Sequence, residues 1–461
     1  MIISPPPTAM LARRFAGAAL ASLFLASHSV SGIAAEATRG PVKVEVRQQH
    51  GRFQLYVAGQ PFYIQGAGVE LGSPELLKQH GGNCFRTWST RNGRESGRQV
   101  LDRALTNGLY VAMGLDVDHE RRGFDYGNPG AVKRQFDQLI AEVEELKDHP
   151  ALLLWVVGNE LNFEKNPKVW DAVNDLSRRI HQIDPNHPTT TTLAGFRKET
   201  ALLVTTRASD LDFICFQMYC DIINLPRYLA EAAWDKPYIV TEWGATGHWE
   251  CGKTAWGAPI ENDSTTKADL YQMRFNKVIR PDQRLCLGSF VFFWGQKQER
   301  TPTWYGMFLE SGEETAAVDV MHHVWKGSWP DNRCPRLDGA WIDGKAATQN
   351  VRLTPGESHR ARVAASDPDH DSLSYRWEIM AESTSRNVGG DHEAKPATLP
   401  GLIADPSQPE ISFQVPSKPG PYRLFAYVFD GKGHAAHVNI PFLVESGGKT
   451  SQSTSRPQEQ L

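Results

Sequence analysis

The chain has 461 residues, enough for two or three domains and a sizeable hydrophobic core. Its formal charge of −4 and its mixture of acidic and basic residues give no reason to expect nucleic acid or an anionic membrane as a partner. Thirteen tryptophans and twelve tyrosines supply flat apolar rings with a polar edge. Such rings suit a protein core and a sugar ring alike, so their number decides little.

The N-terminus has the pattern of an export signal. Arg13 and Arg14 precede an apolar stretch at residues 15–26, and the small residues around Ala35 fit a cleavage site. An apolar stretch of about 12 residues is too short to span a bilayer, which disfavours a membrane anchor. We therefore predict a signal peptide over residues 1–37, no membrane span, and a mature protein that is periplasmic or secreted.

Six cysteines would then lie in a compartment that permits disulfides: Cys84, Cys215, Cys220, Cys251, Cys286 and Cys334. Their spacing shows neither CxxC pairs nor companion histidines, which disfavours a zinc site. Cys220 and Cys251 follow predicted strand ends on neighbouring loops and are candidates for a bridge. Cys84 and Cys215 lie within apolar strand patterns and are predicted to be buried thiols. We predict no cofactor.

Strands and helices alternate through most of the chain. Residues 41–65 alternate apolar and polar residues, with a turn at 58–60, and predict a hairpin that leads into the first strand. The eight predicted strands cover residues 62–65, 83–87, 110–114, 152–157, 189–193, 213–218, 237–240 and 287–293. The eight predicted helices cover residues 74–79, 97–106, 131–147, 169–183, 199–204, 225–233, 267–279 and 316–325. Eight such units over roughly 270 residues predict a parallel (β/α)8 barrel, the TIM-barrel fold, rather than an open sheet.

The pattern changes after Cys334. Residues 335–445 consist of short alternating runs separated by Pro, Gly and Asp clusters, which predict a small immunoglobulin-like β-sandwich. Residues 446–461 are rich in Ser, Gln and Gly and are predicted to be a disordered tail. The domain prediction is therefore a barrel with a short N-terminal hairpin over residues 41–334, followed by the sandwich and the tail.

Two glutamates end buried strands of the predicted barrel. Residues 152–157 are all apolar and are followed by Gly158, Asn159 and Glu160; the later run 237–240 leads to Glu242. An apolar run of this length indicates a strand buried on both faces, and barrel enzymes carry their chemistry at the carboxyl ends of the strands. Because strands four and seven converge across the barrel mouth, the two carboxyl groups are expected to flank a common space.

Two carboxyl groups in this arrangement suit the cleavage of a glycosidic bond. One protonates the leaving oxygen and the other attacks or directs water; a separation of about 5–5.5 Å implies retention and about 6.5–9.5 Å inversion. Further side chains at strand ends complete the predicted site: Asn159 for a sugar hydroxyl, Arg86 and Tyr219 beside one carboxylate, Trp294 as an apolar floor, and Trp243 as a substrate contact or part of the core. Solvation or a structural ion pair also explains a charged strand end, but the joint position of the two glutamates favours catalysis.

Five short motifs occur in order along the barrel: FRTW at 85–88, GNE at 158–160, FQMY at 216–219, VTEWG at 240–244 and FFWG at 292–295. The series resembles clan A glycoside hydrolases, most of all the barrel of family 2 enzymes and the β-1,3-glucanosyltransferase barrels. The resemblance implies a retaining mechanism with Glu160 as acid/base and Glu242 as nucleophile. It further implies that Asn159 contacts the sugar 2-hydroxyl and that Arg86 and Tyr219 flank the nucleophile. Residues 293–297 look closer to the transglycosylating glucanases.

The C-terminal region resembles polycystic-kidney-disease-type and related immunoglobulin-like modules through ASDPD at 365–369 and YRLF at 422–425. Its Asp-rich turns contain Asp367, Asp369, Asp371 and Asp430. Two explanations are open: these carboxylates bind calcium, or they cap strands through hydrogen bonds. The module either contacts a polysaccharide or cell surface, or only spaces the barrel from one.

The sequence thus predicts an exported retaining glycoside hydrolase or transglycosidase whose substrate is a β-linked glucan or related polysaccharide or oligosaccharide. A β-mannanase or an exo-β-glycosidase would use the same two glutamates with different loops. A non-catalytic carbohydrate-binding protein is the alternative from another class. Catalysis is favoured over it, because binding alone does not require an acid and a nucleophile beside Asn159 and Tyr219.

Overall fold

A computed structural model of the chain describes residues 40–386 and 391–445. The predicted signal peptide at 1–37 and the predicted disordered tail at 446–461 lie outside these residues. Among the helices of the described ranges, none combines the length and the apolar character that crossing a bilayer requires.

A small antiparallel sheet precedes the barrel. It consists of β1 (Val44–Gln49), β2 (Arg52–Val57) and β3 (Gln60–Phe62). The Val44 amide donates to the Asn186 carbonyl, and the Phe53 amide donates to the Arg284 carbonyl, both at 2.8 Å. Both carbonyls lie just before barrel strands, so the small sheet packs on the end of the barrel where the strands begin. The predicted turn at 58–60 is present, but the sheet has three strands instead of the predicted two.

Eight parallel strands form a closed barrel, which confirms the predicted fold. They are β4 (Ile64–Gly68), β5 (Cys84–Arg86), β6 (Tyr110–Leu115), β7 (Leu152–Asn159), β8 (Thr189–Ala194), β9 (Phe213–Gln217), β10 (Tyr238–Gly244) and β11 (Cys286–Phe292). Strand β11 pairs with β4, with Gly288 opposite Ile64, and this pairing closes the barrel. Seven of the eight residues of β7 are buried, which is why its sequence is an unbroken apolar run.

Helices cover the outside of the barrel. They are α1 (Pro74–Gln79), α2 (Gly97–Thr106), α3 (Pro129–Leu146), α4 (Lys168–Ile183), α5 (Lys198–Arg207), α6 (Leu225–Glu231), α7 (Ser264–Arg274) and α8 (Ala316–Lys326). The first two have the predicted bounds, and a capping box of Ser96 and Gln99 sets the start of α2. The helix predicted over 267–279 is α7 followed by a π-helical turn at Phe275–Ile279.

Two further sheets pack face to face beyond the barrel. Their strands are β12 (Glu314–Thr315), β13 (Arg336–Ile342), β14 (Val351–Leu353), β15 (Ser358–Ser366), β16 (Ser374–Ala381), β17 (Glu410–Gln414), β18 (Gly420–Phe429) and β19 (His434–Val444). One sheet has the order β13–β15–β17; the other has the order β12–β19–β18–β16, and β14 also pairs with β19. Buried side chains such as Trp377, Phe413 and Phe442 form one hydrophobic core here. The predicted β-sandwich is present; its immunoglobulin-like type stays a prediction.

The Asp-rich turns of the sandwich show the hydrogen bonds that strand capping predicts. Asp367 Oδ1 accepts the backbone N–H groups of Asp369 at 2.8 Å and Asp371 at 3.0 Å. Asp371 also pairs with Lys432 at 2.6 Å. Side-chain oxygens of Asp367, Asp369 and Asp371 lie within 4.8 Å of one another, and Asp430 is not part of that group. Calcium binding stays an untested alternative.

All six cysteines are free thiols, so the candidate bridge between Cys220 and Cys251 is wrong. Cys251 Sγ lies 3.5 Å from the His248 carbonyl oxygen, to which it donates. Cys84 and Cys215 are buried within barrel strands, as predicted.

The sandwich and the barrel share a buried polar junction around Glu261. This carboxylate pairs with Lys267 of α7 at 2.5 Å and accepts from Thr301 at 2.6 Å, Thr303 at 2.9 Å and Asn439 of β19 at 2.6 Å. Burial opposes ionisation, but Lys267 and these donors lower the pKa of Glu261 to about 2. The ionised carboxylate therefore links the loops after β10 and β11 to the sandwich.

We expect Lys267→Met to lower the free energy of unfolding by about 3–5 kcal/mol, because it leaves the buried Glu261 charge without its cation. Urea denaturation at pH 7 measures the change. Since the pKa of Glu261 is lowered from 4.5 in the unfolded chain, its stabilising contribution is complete above pH 4.5 and is lost as the pH falls toward 2.

The matched control is Arg227→Met, which breaks an exposed ion pair with Glu231. We expect little or no change in the free energy of unfolding there, because solvent screens an exposed ion pair. Equal losses for the two variants would contradict a structural role for the Glu261 junction.

Candidate active site

Glu242 lies in β10 at the carboxyl end of the barrel, and its carboxylate accepts four hydrogen bonds. Three donors meet Oε1: Arg86 Nη1 at 2.9 Å, Trp88 Nε1 at 2.9 Å and Gln217 Nε2 at 3.0 Å. The Tyr219 hydroxyl donates to Oε2 at 2.9 Å. Charged and neutral donors together stabilise the negative charge of this carboxylate. Oε2, with a single donor, has lone-pair capacity left.

Arg86 at the end of β5 joins three strands of the barrel. Its side chain is fully buried, and Nη1 also donates to the Thr241 carbonyl at 3.2 Å. Nη2 donates to Asn159 Oδ1 at 2.9 Å, and the guanidinium lies 4.9 Å from the centre of the Trp88 ring. A buried cation is tolerated only when it is paired and hydrogen-bonded, and Glu242 supplies the opposite charge.

The amide of Asn159 has a defined orientation. Its Oδ1 accepts from Arg86 Nη2 at 2.9 Å, from Gln217 Nε2 at 2.8 Å and from Thr192 Oγ1 at 3.3 Å. Because three donors converge on the oxygen, the NH₂ group is the end of the amide left for a ligand. Asn159 lines the cavity described below and therefore presents a donor to it.

Glu160 follows β7 and has the opposite surroundings. Its backbone is left-handed, with φ of 54°, after Gly158 with φ of 78°, and its amide donates to the Thr192 carbonyl at 3.0 Å. Over residues 40–386 and 391–445, no donor contacts its carboxyl group. Burial, together with the charge of Glu242, raises the pKa of Glu160 to about 8. The surroundings of Glu160 therefore favour its protonated form.

The two glutamates line one cavity of about 200 Å³ at the barrel mouth. Aromatic side chains form much of its wall: Trp88, Tyr219, Trp249, Phe292, Phe293 and Tyr305. Cationic side chains also reach it, namely Arg121, Arg122 and Lys297. Acidic side chains line it as well, namely Glu70, Asp116 and Glu299 beside the two glutamates. The structure thus brings Glu160, Glu242, Asn159 and Tyr219 together, with Arg86 buried beside them.

Two predicted substrate contacts do not lie in this cavity. Trp294 is fully buried and its Nε1 donates to the Ser73 carbonyl at 3.0 Å, so the prediction that it forms the floor is wrong. Trp243 is also fully buried and packs against Tyr271 of α7, since neighbouring residues of a strand point to opposite faces. For Trp243, the core alternative therefore holds.

Trp88 and Gln217 both donate to Glu242, but neither is among the site residues predicted from the sequence. Gln217 is the one polar residue of the strand FICFQ, and all five residues of that strand are buried. A polar residue that ends a buried strand was the available signal, the same one that pointed to Glu160. Trp88 lies beyond the end of β5, and no periodicity places its ring.

The sandwich holds the loop that forms one side of the cavity. Glu393 accepts from Gln298 Nε2 and from the Arg300 amide, both at 3.1 Å. Lys297 and Glu299, which line the cavity, lie in this same loop. The loop after β11 is therefore fixed by a carboxylate of the sandwich.

A second contact from the sandwich reaches the opposite loop. Asp391 lies 3.5 Å from Arg121 and 4.0 Å from Arg122. Both arginines line the cavity, so their positions depend partly on a sandwich residue. The sandwich takes part in shaping the cavity.

Residues 75–277 match the family model "Glycosyl hydrolases family 2, TIM barrel domain". The barrel is therefore similar to the TIM-barrel domain of that family. The match includes Arg86, Asn159, Glu160, Tyr219 and Glu242.

Three known proteins are similar to this chain. A β-glucuronidase of Streptococcus agalactiae serotype V is 26% identical over 243 residues, covering 44% of this chain and 39% of the relative. A β-galactosidase of Vibrio cholerae serotype O1 is 29% identical over 165 residues, covering 30% and 15%. The solved β-glucuronidase of Bacteroides uniformis is 13% identical with a TM-score of 0.47, covering 87% of this chain and 48% of that one. The chain spans less than half of each.

We expect the stability of Glu160→Gln relative to wild type to grow with pH. The pKa of Glu160 is 4.5 in the unfolded chain and about 8 when folded. Between these values the folded protein holds a proton that the unfolded chain has lost, so wild type loses stability as the pH rises from 4.5 to 8. The glutamine variant is spared this loss. Urea denaturation across this pH range measures the difference.

A Glu242→Gln background tests the cause. Without the charge of Glu242, the pKa of Glu160 falls. The pH range over which the protein with Glu160 loses stability should then end at a lower pH. A difference between wild type and Glu160→Gln that stays constant from acidic to alkaline pH would contradict the assignment.

Proposed function

We propose that this protein is a retaining β-glycosidase in which Glu160 is the acid/base and Glu242 the nucleophile. The observation that carries the proposal is the contrast between two carboxyl groups in one cavity. Four donors stabilise the charge of Glu242, whereas no donor among the described residues contacts the Glu160 carboxyl group, and its pKa is raised to about 8. Surroundings that separate two carboxyl groups in this way assign one to proton donation and the other to attack.

The first step forms a covalent intermediate. Glu160 gives its proton to the glycosidic oxygen, the leaving sugar departs as an alcohol, and Glu242 Oε2 forms a bond to the anomeric carbon. In the second step, the Glu160 carboxylate takes a proton from water or from a sugar hydroxyl. The oxygen of that water or sugar hydroxyl attacks the anomeric carbon, and the bond to Glu242 breaks. Water gives hydrolysis, and a sugar hydroxyl gives glycosyl transfer.

The names of the curated relatives support a β-linked substrate. They are a β-glucuronidase and a β-galactosidase, which favours an exo-acting enzyme as the second candidate. Arg121, Arg122 and Lys297 line the cavity, so a negatively charged sugar belongs among the substrates to be tried. A β-linked glucan or related polysaccharide remains the finer proposal for the natural substrate.

Azide rescue of Glu242→Ala and Glu160→Ala tests both roles at once. With an aryl β-glycoside whose leaving group needs no protonation, we expect Glu242→Ala to lose several orders of magnitude in kcat/KM. Azide in the space of the lost carboxylate should then yield the α-glycosyl azide. Glu160→Ala should keep the first step and yield the β-glycosyl azide. Glucoside, galactoside and glucuronide substrates identify the sugar, and nuclear magnetic resonance reports the configuration of the products.

The matched control is Glu299→Ala, which removes a carboxylate of the same cavity without either proposed role. We expect it to give neither azide. Products with inverted anomeric configuration from the wild-type enzyme, or full activity in Glu242→Ala, would contradict the mechanism. A wild-type protein that binds a glycan and leaves it intact would support the non-catalytic alternative.

Export belongs to the same proposal. Arg13, Arg14 and the apolar residues 15–26 support a signal peptide, and a periplasmic or secreted location would expose the enzyme to polysaccharides. Fractionation of expressing bacteria and N-terminal sequencing test it. We expect a mature N-terminus close to Ala37; full-length protein confined to the cytoplasm would contradict it.

A further inference from the structure

Trp249 is a large aromatic side chain that stays exposed at the cavity. Its exposed fraction is 55%, and among the exposed large hydrophobic side chains of the described ranges it is the one that lines the cavity. Its ring meets the ring of Tyr219 edge-on, with centroids 5.6 Å apart, and the ring of His248 at 4.9 Å. Two neighbouring rings therefore hold the indole, and about half of the residue remains accessible.

The loop that carries Trp249 is firmly anchored. Glu250 accepts three backbone N–H groups, from Cys220 at 2.8 Å, Asp221 at 3.0 Å and Gly247 at 2.9 Å. These bonds tie the loop after β10 to the loop after β9. An exposed indole on a loop held this way loses little freedom when a ligand binds, which favours affinity.

Gly247 completes the support. A Cβ atom at this position would lie 2.7 Å from atoms of the Trp249 ring and 2.9 Å from Glu250 Oε2. On the other side, the His248 amide donates to the Tyr305 hydroxyl at 3.2 Å. The backbone therefore approaches the indole closely enough to fix the ring beside the cavity.

Trp249 lies one aromatic ring away from the reacting carboxylate. Tyr219 donates to Glu242 Oε2 at 2.9 Å through its hydroxyl, and it contacts Trp249 through its ring. A sugar whose anomeric carbon meets Glu242 would place its neighbouring sugar in the space beside the indole.

We propose that Trp249 is the platform of a second sugar subsite. This subsite holds the sugar that is joined, through the bond to be cleaved, to the sugar at Glu242. A sugar ring has an apolar C–H face and hydroxyl groups at its edge, which suits contact with the face of an indole whose surroundings remain open to water. The proposal rests on the proposed function and assigns a residue that recognises the second sugar of a β-linked oligosaccharide or polysaccharide.

A pair of substrates separates this subsite from the catalytic centre. β-Glucosyl fluoride fills only the position at Glu242, because fluoride is too small to reach Trp249. A β-linked glucotetraose fills both positions. β-Galactosyl fluoride and a β-linked galactotetraose are the matching pair for an enzyme that acts on galactose. We expect Trp249→Ala to lower kcat/KM for the tetrasaccharide about tenfold, mainly through KM, since a well-oriented ring contact is of that size. Fluoride hydrolysis should stay within about twofold of wild type.

Two variants control the experiment. Trp249→Phe keeps an aromatic face and should restore most of the activity on the tetrasaccharide. Phe163→Ala removes a ring that is 63% exposed and does not line the cavity, and it should leave both substrates unaffected.

Each other outcome is decisive. An equal loss on fluoride and tetrasaccharide would show that Trp249 acts only through Tyr219, and an unchanged tetrasaccharide rate would show no platform; both overturn the subsite. If wild type cleaves none of the glucosides, galactosides and glucuronides, the proposed function fails. Calorimetric titration with the tetrasaccharide still tests the subsite, since Trp249→Ala must then weaken binding about tenfold.

Discussion

A buried guanidinium determines the geometry of the barrel mouth. Arg86 is inaccessible to solvent, and its two terminal nitrogens bind Glu242 on β10 and Asn159 on β7, on different sides of the barrel. Separating Arg86 from Glu242 would leave two buried charges unpaired, at a cost of several kcal/mol. The fold is therefore stable only when the carboxylate is close to the position that the proposed chemistry requires. Gln217 and Trp88 reinforce that position through the same oxygen.

Glu160 is held under the opposite conditions. Its backbone is in a region that glutamate rarely adopts, and its partly exposed carboxyl group meets no donor among the described residues. Both features oppose stability, and a carboxyl group without donors suits the acid role proposed for Glu160. A stabilised carboxylate at Glu242 and a strained backbone at Glu160 thus occur in one cavity. This is expected where function and stability compete.

The sequence predicted the barrel because parallel strands buried on both faces leave unbroken apolar runs, and a polar residue that ends such a run marks the barrel mouth. Glu160, Glu242, Asn159 and Arg86 were found in this way. The sequence did not show which tryptophans would line the cavity. Trp294 lies in the core, whereas Trp249, on a loop without periodicity, lines the cavity. Contacts between the sandwich and the barrel join residues far apart in sequence, and the two-residue strand β12 is too short to show any pattern.

The contacts of the sandwich impose an order on the assembly of the site. Glu393 fixes the loop after β11, Asn439 binds Glu261, and β12 pairs with β19, which ends at Val444. During synthesis from the N-terminus, the eight barrel strands leave the ribosome well before these partners exist. The barrel can close early while its cavity stays incomplete. If the proposed function holds, catalytic competence appears only after β19 has joined its sheet, so that turnover would report on completion of the sandwich.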